Sequence, residues 1–152
     1  MKDRLIYHFF TDDDFLRISG KIKEAEKNTS GEIRISIREE KTFFNKKKDI
    51  RKLAEEEFYK LNMHSTRDKT GILLFLILSD RKFYILADEG INAKVNQDTW
   101  DKVRDEIQAK FKNGDYTNGL LVGIEQVGKI LSEHFPIKSD DTNELSNKIV
   151  IK

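Results

Sequence analysis

The chain has 152 residues, a formal net charge of +1 and no cysteine. This length suits one domain with a single hydrophobic core. The near-neutral charge gives no reason to expect nucleic-acid binding or attraction to an acidic membrane surface, and the absence of cysteine excludes disulfides and thiolate metal sites.

The first half of the sequence alternates helix and strand patterns. Thr11 and Asp14 have the spacing of a helix capping box, and the apolar residues that follow at helical intervals predict a helix over residues 12–27. Residues 32–38 alternate apolar and polar side chains, which predicts a strand with one face exposed to water. A second apolar stripe at helical spacing predicts a helix over residues 47–62.

The second half begins with a hairpin and continues with helices. Residues 72–78 are continuously apolar, as in a strand buried on both faces, and a three-residue turn joins them to a strand over residues 82–88. So short a turn makes this pair antiparallel, whereas the helix between the first two strands makes that pair parallel. Asn96 caps a third helix that ends at residues 113–114, and a fourth helix covers residues 118–134.

The predicted fold is α/β, with a small mixed β-sheet of three core strands packed between about four helices. Pro136 closes the domain, which we expect to cover residues 1–136. The polar tail, residues 137–152, is either mobile or adds a fourth strand at the sheet edge through residues 148–151.

Three short stretches that each join a glycine to a carboxylate lie at predicted strand ends. They are residues 29–33, 66–72 and 88–91. Two parallel strands begin at the same sheet edge and the antiparallel third strand ends there, so Glu32, Asp68 and Asp88, with Glu89 beside it, should converge. Clustered carboxylates repel one another unless a cation lies between them, and loop oxygens suit calcium, with magnesium as the alternative. The sequence therefore predicts a divalent-metal site formed by Glu32, Asp68, Asp88 and Glu89.

The same residues also have purely structural interpretations. Glu32 would be an ordinary outward-facing strand residue, Asp68 a turn former, and Asp88 the cap of a short helix over residues 90–95. The predicted edge is also opposite the carboxyl ends of the parallel strands, where ligands of open α/β sheets usually bind. At the level of sequence both interpretations stay open.

Two adjacent aromatic residues, Phe43 and Phe44, lie in the charged loop after the first strand. We expect them to fold back onto the core, because large aromatic side chains are usually buried. The alternative is that they form a patch that binds a protein partner.

One set of residues recurs through these elements in a distinctive order and spacing: Glu26, Thr29, Gly31, Glu32, Thr66, Gly71, Asp88, Gly90, Ile91, Trp100, Phe111, Gly114, Tyr116 and Gly119. In this order and spacing the chain resembles the TPM-domain family, which is named for a thylakoid-lumen protein, a photosystem II repair protein and an acetylcholine-receptor accessory protein. The resemblance covers roughly residues 10–136.

This resemblance implies an α/β sandwich, binding of calcium or another divalent metal, acid phosphatase activity and a role near membrane complexes or in stress and repair. Asp88 is then the expected catalytic residue of a weak phosphatase, and a phosphatase without metal would use Asp88 or Ser30 as its nucleophile. The alternative function is a non-catalytic module that docks on a partner in a membrane-associated or stress-response complex.

The chain differs from many members of that family at its ends. Residues 1–8 lack the apolar segment of a signal peptide, and the longest apolar run, residues 72–78, is too short to span a bilayer. We therefore expect a cytoplasmic protein with no direct membrane insertion.

Overall fold

The computed structural model describes residues 4–137 and 149–152. In chain order, the regular elements are α1 (Asp12–Glu26), β1 (Glu32–Arg38), α2 (Ile50–Lys60), β2 (Gly71–Ile77), β3 (Lys82–Ala87), α3 (Glu89–Asn92), α4 (Gln97–Lys112), α5 (Tyr116–His134) and β4 (Val150–Ile151). Short 3-10 helices occur at Leu5–His8, Phe43–Asn45 and Met63–Ser65.

The four strands form one mixed sheet in the order β3-β2-β1-β4. β1 is parallel to both β2 and β4, and β2 is antiparallel to β3. The α/β fold and its mixed sheet are thus confirmed, and the chain's last residues do add an edge strand. Residues 138–148, which include most of the predicted tail, lie outside the described residues, so the division into domain and tail stays a prediction.

Helices cover both faces of the sheet. The larger core lies on the face that carries Ile33, Ile35 and Ile37 of β1, where these side chains pack with residues of α1, α4 and α5. The smaller core lies on the other face, between β2 and α2, and contains Phe75 and Phe58. A three-layer arrangement follows, with α2 in one outer layer and α1, α4 and α5 in the other.

The prediction that one face of β1 is exposed to water is wrong. Ser36 is fully buried and Arg38 is 9% exposed, because α2 covers that face. These polar residues of the strand contact Glu57 of α2, whose carboxylate is fully buried. The Ser36 hydroxyl donates a 2.5 Å hydrogen bond to Glu57 Oε2, and the Arg38 guanidinium lies 3.5 Å from Glu57 Oε1. Alternation therefore marked two chemically different faces, but the polar one faces a helix rather than solvent.

β4 is fixed to the same carboxylate. Lys152 pairs with the backbone of β1 by donating to the carbonyl of Ile37 and accepting from the amide of Glu39. Its ammonium nitrogen lies 2.8 Å from Glu57 Oε1. Burial opposes ionisation of Glu57, but hydrogen bonds from Lys152 and Ser36 and the charges of Lys152 and Arg38 outweigh it, so its pKa lies below the ordinary value.

The helix boundaries differ from the predicted ones where a capping side chain intervenes. The Asp49 carboxylate accepts a 2.9 Å hydrogen bond from the Lys52 amide, so α2 begins at Ile50 rather than at residue 47. Asp115 caps α5 in the same manner, and that helix begins two residues earlier than predicted.

Phe43 and Phe44 do not fold back onto the core. Their side chains are 77% and 88% exposed, and the two rings meet edge to face with centroids 5.7 Å apart. They lie on a short 3-10 helix between β1 and α2, and each face of the sheet already has its helical cover. The two aromatic rings are therefore surface features.

Candidate functional site

Strand register brings the three glycine-carboxylate stretches to one edge of the sheet, as predicted. Glu32 is opposite Gly71 at the start of the parallel pair β1 and β2, and Ile72 is opposite Ala87 where β3 ends. The Asp88 amide donates a 2.9 Å hydrogen bond to the Gly71 carbonyl, which continues the ladder beyond β3. We call this region the acidic edge. It lies at the ends of the strands, not along an outer strand, and comprises Glu32, Asp68, Asp88 and Glu89 with the loop residues between them.

Close backbone contact joins two of the stretches. A Cβ atom placed on Gly90 would lie 2.2 Å from the carbonyl oxygen of Asp68 and 2.4 Å from that of Lys69. Real Cβ atoms do not approach backbone that closely, so only glycine fits at this position. The carbonyl oxygens of the loop before β2 therefore lie against the first turn of α3.

Asp88 has two roles at this edge. Its Oδ1 accepts a 2.8 Å hydrogen bond from the Glu89 amide and caps α3, which confirms the capping role of this residue, although the helix covers Glu89–Asn92 rather than residues 90–95. Its Oδ2 is buried and has no hydrogen-bond partner among the described residues. Burial raises the pKa of Asp88 above its ordinary value, against the opposing effects of the Glu89 amide and the Lys69 ammonium.

Glu32 and Asp68 differ in exposure. Glu32 is 5% exposed, so it is not the outward-facing residue of the structural interpretation. Its amide donates to the Thr70 carbonyl at 3.0 Å, which fixes the start of β1 beside the loop. The Asp68 carboxylate lies 2.9 Å from the Arg67 guanidinium and is partly exposed. At Asp68 it is the backbone carbonyl, rather than the carboxylate, that lies against Gly90.

The contact between Lys69 and His64 at the acidic edge was not predicted. Lys69 has a positive φ of 57°, and its ammonium donates a hydrogen bond to the His64 carbonyl. Both Lys69 and His64 favour the ionised form of Asp88. A single lysine beside Asp68 carries no sequence signal for this, because the turn conformation that places it is not visible in the pattern.

Several residues of the family resemblance have structural roles at this end of the sheet. The Thr29 hydroxyl accepts from the Gly31 amide at 3.0 Å and donates to the Phe135 carbonyl at 2.5 Å. The Glu26 carboxylate accepts a 2.7 Å hydrogen bond from the Ile33 amide and so ties α1 to β1. These contacts hold the start of β1 against the end of α5.

The side chains fit a metal ion only in part. Within the described ranges, no group of three or more histidine, aspartate or glutamate side chains is arranged to hold a metal ion. The buried Asp88 Oδ2, and the carbonyl oxygens of Asp68 and Lys69 that lie against Gly90, are nonetheless oxygen ligands of the kind calcium accepts. The cation and the catalytic role of Asp88 therefore stay predictions.

None of the helices in the described part of the chain is both long and apolar enough to span a bilayer. The predicted cytoplasmic location is a separate matter and stays a prediction.

Comparison with known proteins identifies the same family that the sequence resembles. The model of the TPM domain matches residues 7–130. The solution structure of the BA42 protein from the psychrophilic bacterium Bizionia argentinensis is similar to this chain with 38% sequence identity and a TM-score of 0.84, and the likeness covers 95% of this chain and 96% of that one. No curated protein sequence matches the chain with significance.

Two further solution structures share the fold at low sequence identity. The N-terminal domain of a P. gingivalis protein has 14% identity and a TM-score of 0.69, with 84% of this chain and 79% of that chain covered. The N-terminal domain of the cg2496 protein of Corynebacterium glutamicum has 11% identity and a TM-score of 0.60, with 93% and 80% covered. The family model spans most of the sequence, and the BA42 protein matches it over nearly its whole length. The chain belongs to the TPM-domain family.

Proposed function

We propose that this TPM domain binds a divalent cation at the acidic edge, with calcium preferred over magnesium. The observation that supports the proposal most is the Asp88 carboxylate, whose Oδ2 is buried without a hydrogen-bond partner among the described residues. Burial of a carboxylate oxygen without a hydrogen bond lowers the stability of the fold, and a bound cation would offset that loss.

The preference for calcium follows from the kind of oxygen atoms at the edge. The Asp88 carboxylate and the carbonyl oxygens of Asp68 and Lys69 come from two separate loops. Calcium accepts such irregular mixtures of side-chain and backbone ligands, whereas magnesium requires near-octahedral geometry. Glu89, which is exposed, and Glu32 would supply further negative charge.

Weak acid phosphatase activity is the catalytic extension of this proposal. A bound cation would supply Lewis-acid chemistry toward a phosphate oxygen and toward water. Asp88 is the residue whose loss should end that activity, because one oxygen of its carboxylate is buried without a hydrogen-bond partner among the described residues. Cation binding does not depend on this extension.

Calorimetric titration of calcium into the full chain tests the binding proposal. We expect a dissociation constant on the order of 10⁻⁴ M, since few carboxylates contribute, and no heat of binding in Asp88→Asn. Asp49→Asn is the matched control, because Asp49 also caps a helix with a 2.9 Å hydrogen bond but lies at the start of α2. Equal affinity in Asp88→Asn and wild type would contradict the proposal.

Turnover of p-nitrophenyl phosphate with calcium or magnesium tests the catalytic extension separately. We expect slow turnover in the wild-type chain and in Asp49→Asn, and none in Asp88→Asn. If the pure, metal-saturated chain turns over no phosphate ester, the catalytic extension is wrong while the binding proposal stands on its own titration.

A second candidate function is a non-catalytic module that docks on a protein of a membrane-associated complex. The exposure of Phe43 and Phe44 favours it, since two adjacent aromatic rings at the surface are typical of interaction sites. Lys46 and Lys47 follow in sequence, are exposed and form no ion pair with a described residue. A partner surface with an apolar centre and an acidic rim would suit this patch.

A photo-reactive residue placed at position 44 tests the docking candidate. We expect cross-linking to one defined partner protein, and loss of that product when Phe43→Ser is added. Position 59 is the control site, because Tyr59 is also an exposed aromatic residue, at 63%. The same products from both positions would show ordinary surface collisions and contradict the candidate.

A further inference from the structure

A second region of interest is a cleft at the opposite end of β2 from the acidic edge. Its volume is about 480 Å³, within the range of small-molecule sites. Three segments far apart in sequence form it: the first 3-10 helix and the residue after it, the turn between β2 and β3, and the connection between α4 and α5. The lining residues are Leu5, His8, Phe9, Arg81, Gly114 and Tyr116.

One wall of the cleft is aromatic. The Phe9 and Tyr116 rings meet edge to face with centroids 4.5 Å apart, and Tyr116 stacks on Phe111 at 4.7 Å. Tyr116 is 5% exposed, and its hydroxyl has no hydrogen-bond partner among the described residues. Buried tyrosine hydroxyls normally have a partner, so the Tyr116 hydroxyl is an unsatisfied buried group directly behind an apolar wall.

Arg81 supplies a positive charge beside that wall. Its guanidinium carbon lies 5.9 Å from the centroid of the Phe9 ring, at the outer limit of a cation–π contact. Arg81 forms no ion pair with any residue in the described ranges, and the neighbouring Asp80 carboxylate is already paired with Lys41 at 3.1 Å. The guanidinium is therefore available to an external anion.

The backbone of Arg81 is held in an unusual conformation. Its φ is 53°, in the left-handed region that arginine rarely adopts. Its amide donates to the Leu78 carbonyl at 3.1 Å, and its carbonyl accepts a 2.5 Å hydrogen bond from the Gln108 side chain of α4. These contacts fix the base of the arginine, so that only its side chain has to order when an anion binds.

We propose that this cleft binds a small planar molecule that carries one anionic group, either a carboxylate or a phosphate monoester on an aromatic ring. The ring packs against Phe9 and Tyr116, and the anionic group receives hydrogen bonds from Arg81, whose forked donors match both groups. The cleft lies at the carboxyl end of β2, the end at which open α/β sheets usually bind their ligands. It is independent of the cation proposal, which concerns the other end of the strand.

Titration of the full chain with phenyl phosphate and with benzoate, followed by ¹H–¹⁵N spectra in the presence of a chelator, tests the proposal. We expect saturable shifts at Gly114 and Tyr116 below about 10 mM ligand, and the tighter of the two probes identifies the preferred anionic group. Inorganic phosphate alone should bind at least about tenfold more weakly, because it lacks the ring.

Two arginine variants complete the test. Arg81→Gln should weaken phenyl phosphate binding by about tenfold, the value of a charge-assisted hydrogen bond. Arg104→Gln should not, although the Arg104 guanidinium carbon also lies over an aromatic ring, 5.6 Å from the Tyr84 centroid, outside the cleft. Absence of saturable shifts, equal binding by Arg81→Gln, or inorganic phosphate as strong as phenyl phosphate would each overturn the proposal.

Discussion

The backbone of Gly90 lies so close to the carbonyl oxygen of Asp68 that a Cβ atom at position 90 would be 2.2 Å from it. This contact joins the start of α3 to the loop before β2, although twenty-one residues separate the two positions in sequence. It places the backbone oxygens of one loop against Gly90, two residues along the chain from Asp88. The proposed cation site depends on this approach.

Gly90→Ala should therefore both destabilise the chain and impair cation binding. We expect the free energy of unfolding in urea to fall by about 1–3 kcal/mol, because backbone atoms must move to accept the methyl group. Gly20→Ala is the control: apart from its own stretch of helix backbone, no atom lies within 4 Å of its added Cβ, and in the exposed part of α1 it should stabilise by about 0.5–1 kcal/mol. Equal effects of the two substitutions would contradict the described contact.

Asp88→Asn should raise stability in the absence of divalent cations. The folded pKa of Asp88 lies above its ordinary value of 3.8, so ionisation lowers the stability of the fold as the pH rises from 3.8 through the folded pKa. The amide keeps the helix cap but carries no charge, and we expect a gain on the order of 0.5 kcal/mol at neutral pH. Saturating calcium should reverse this order, because only the wild-type chain gains binding energy. Thermal melts at pH 4 and pH 7, with calcium and with a chelator, measure both effects.

Glu57→Gln should lower stability at neutral pH by about 2 kcal/mol, because it removes the charge that orders Ser36, Arg38 and Lys152. The folded pKa of Glu57 lies below its ordinary value of 4.5, so the stabilisation is present above about pH 4.5 and is lost as the pH falls through the folded pKa. Urea unfolding across this range should show a steeper acid loss for wild type than for the variant.

Glu55→Gln is the matched control for that experiment. Glu55 is on the same helix and forms an exposed ion pair with Arg51 at 3.3 Å. We expect its effect to be below about 0.5 kcal/mol. An equally small effect of Glu57→Gln would mean that the buried carboxylate does not fix β4 to the sheet.

Phe44→Ser should leave stability unchanged to within about 0.5 kcal/mol, since the ring is 88% exposed. Phe75→Ala, at a fully buried position in β2, should cost about 3–5 kcal/mol. Chemical denaturation of the two variants distinguishes a surface aromatic pair from one that packs on the core. A large loss in Phe44→Ser would show that the ring is buried in solution.

Local sequence patterns predicted helices and strands correctly where a single pattern determines the element. The capping box at Thr11 and Asp14 is present, and β1 has the predicted bounds. The exposure of Ser36 and Arg38 was predicted wrongly because alternation identifies a polar face without revealing that a helix carries Glu57 against it. The prediction that Phe43 and Phe44 pack on the core was wrong for a related reason. Composition does not show whether the core has space for two more aromatic rings.

The acidic edge was predictable as a place but not as a set of contacts. Strand order alone brings Glu32, Asp68 and Asp88 to one end of the sheet. Side-chain direction depends on turn conformations, and the positive φ of Lys69 is an example that no periodicity reveals. The Asp68 carboxylate, predicted as a ligand, lies 2.9 Å from the Arg67 guanidinium, a contact that strand order does not predict.

A calcium titration of the wild-type chain followed by ¹H–¹⁵N spectra decides whether a divalent cation binds at the acidic edge. We expect saturable shifts at Gly31, Gly71, Glu89 and Gly90 that are absent from Asp88→Asn and retained in Asp49→Asn. Shifts confined to other parts of the chain, or no saturable shift at all up to about 10 mM calcium, would contradict it.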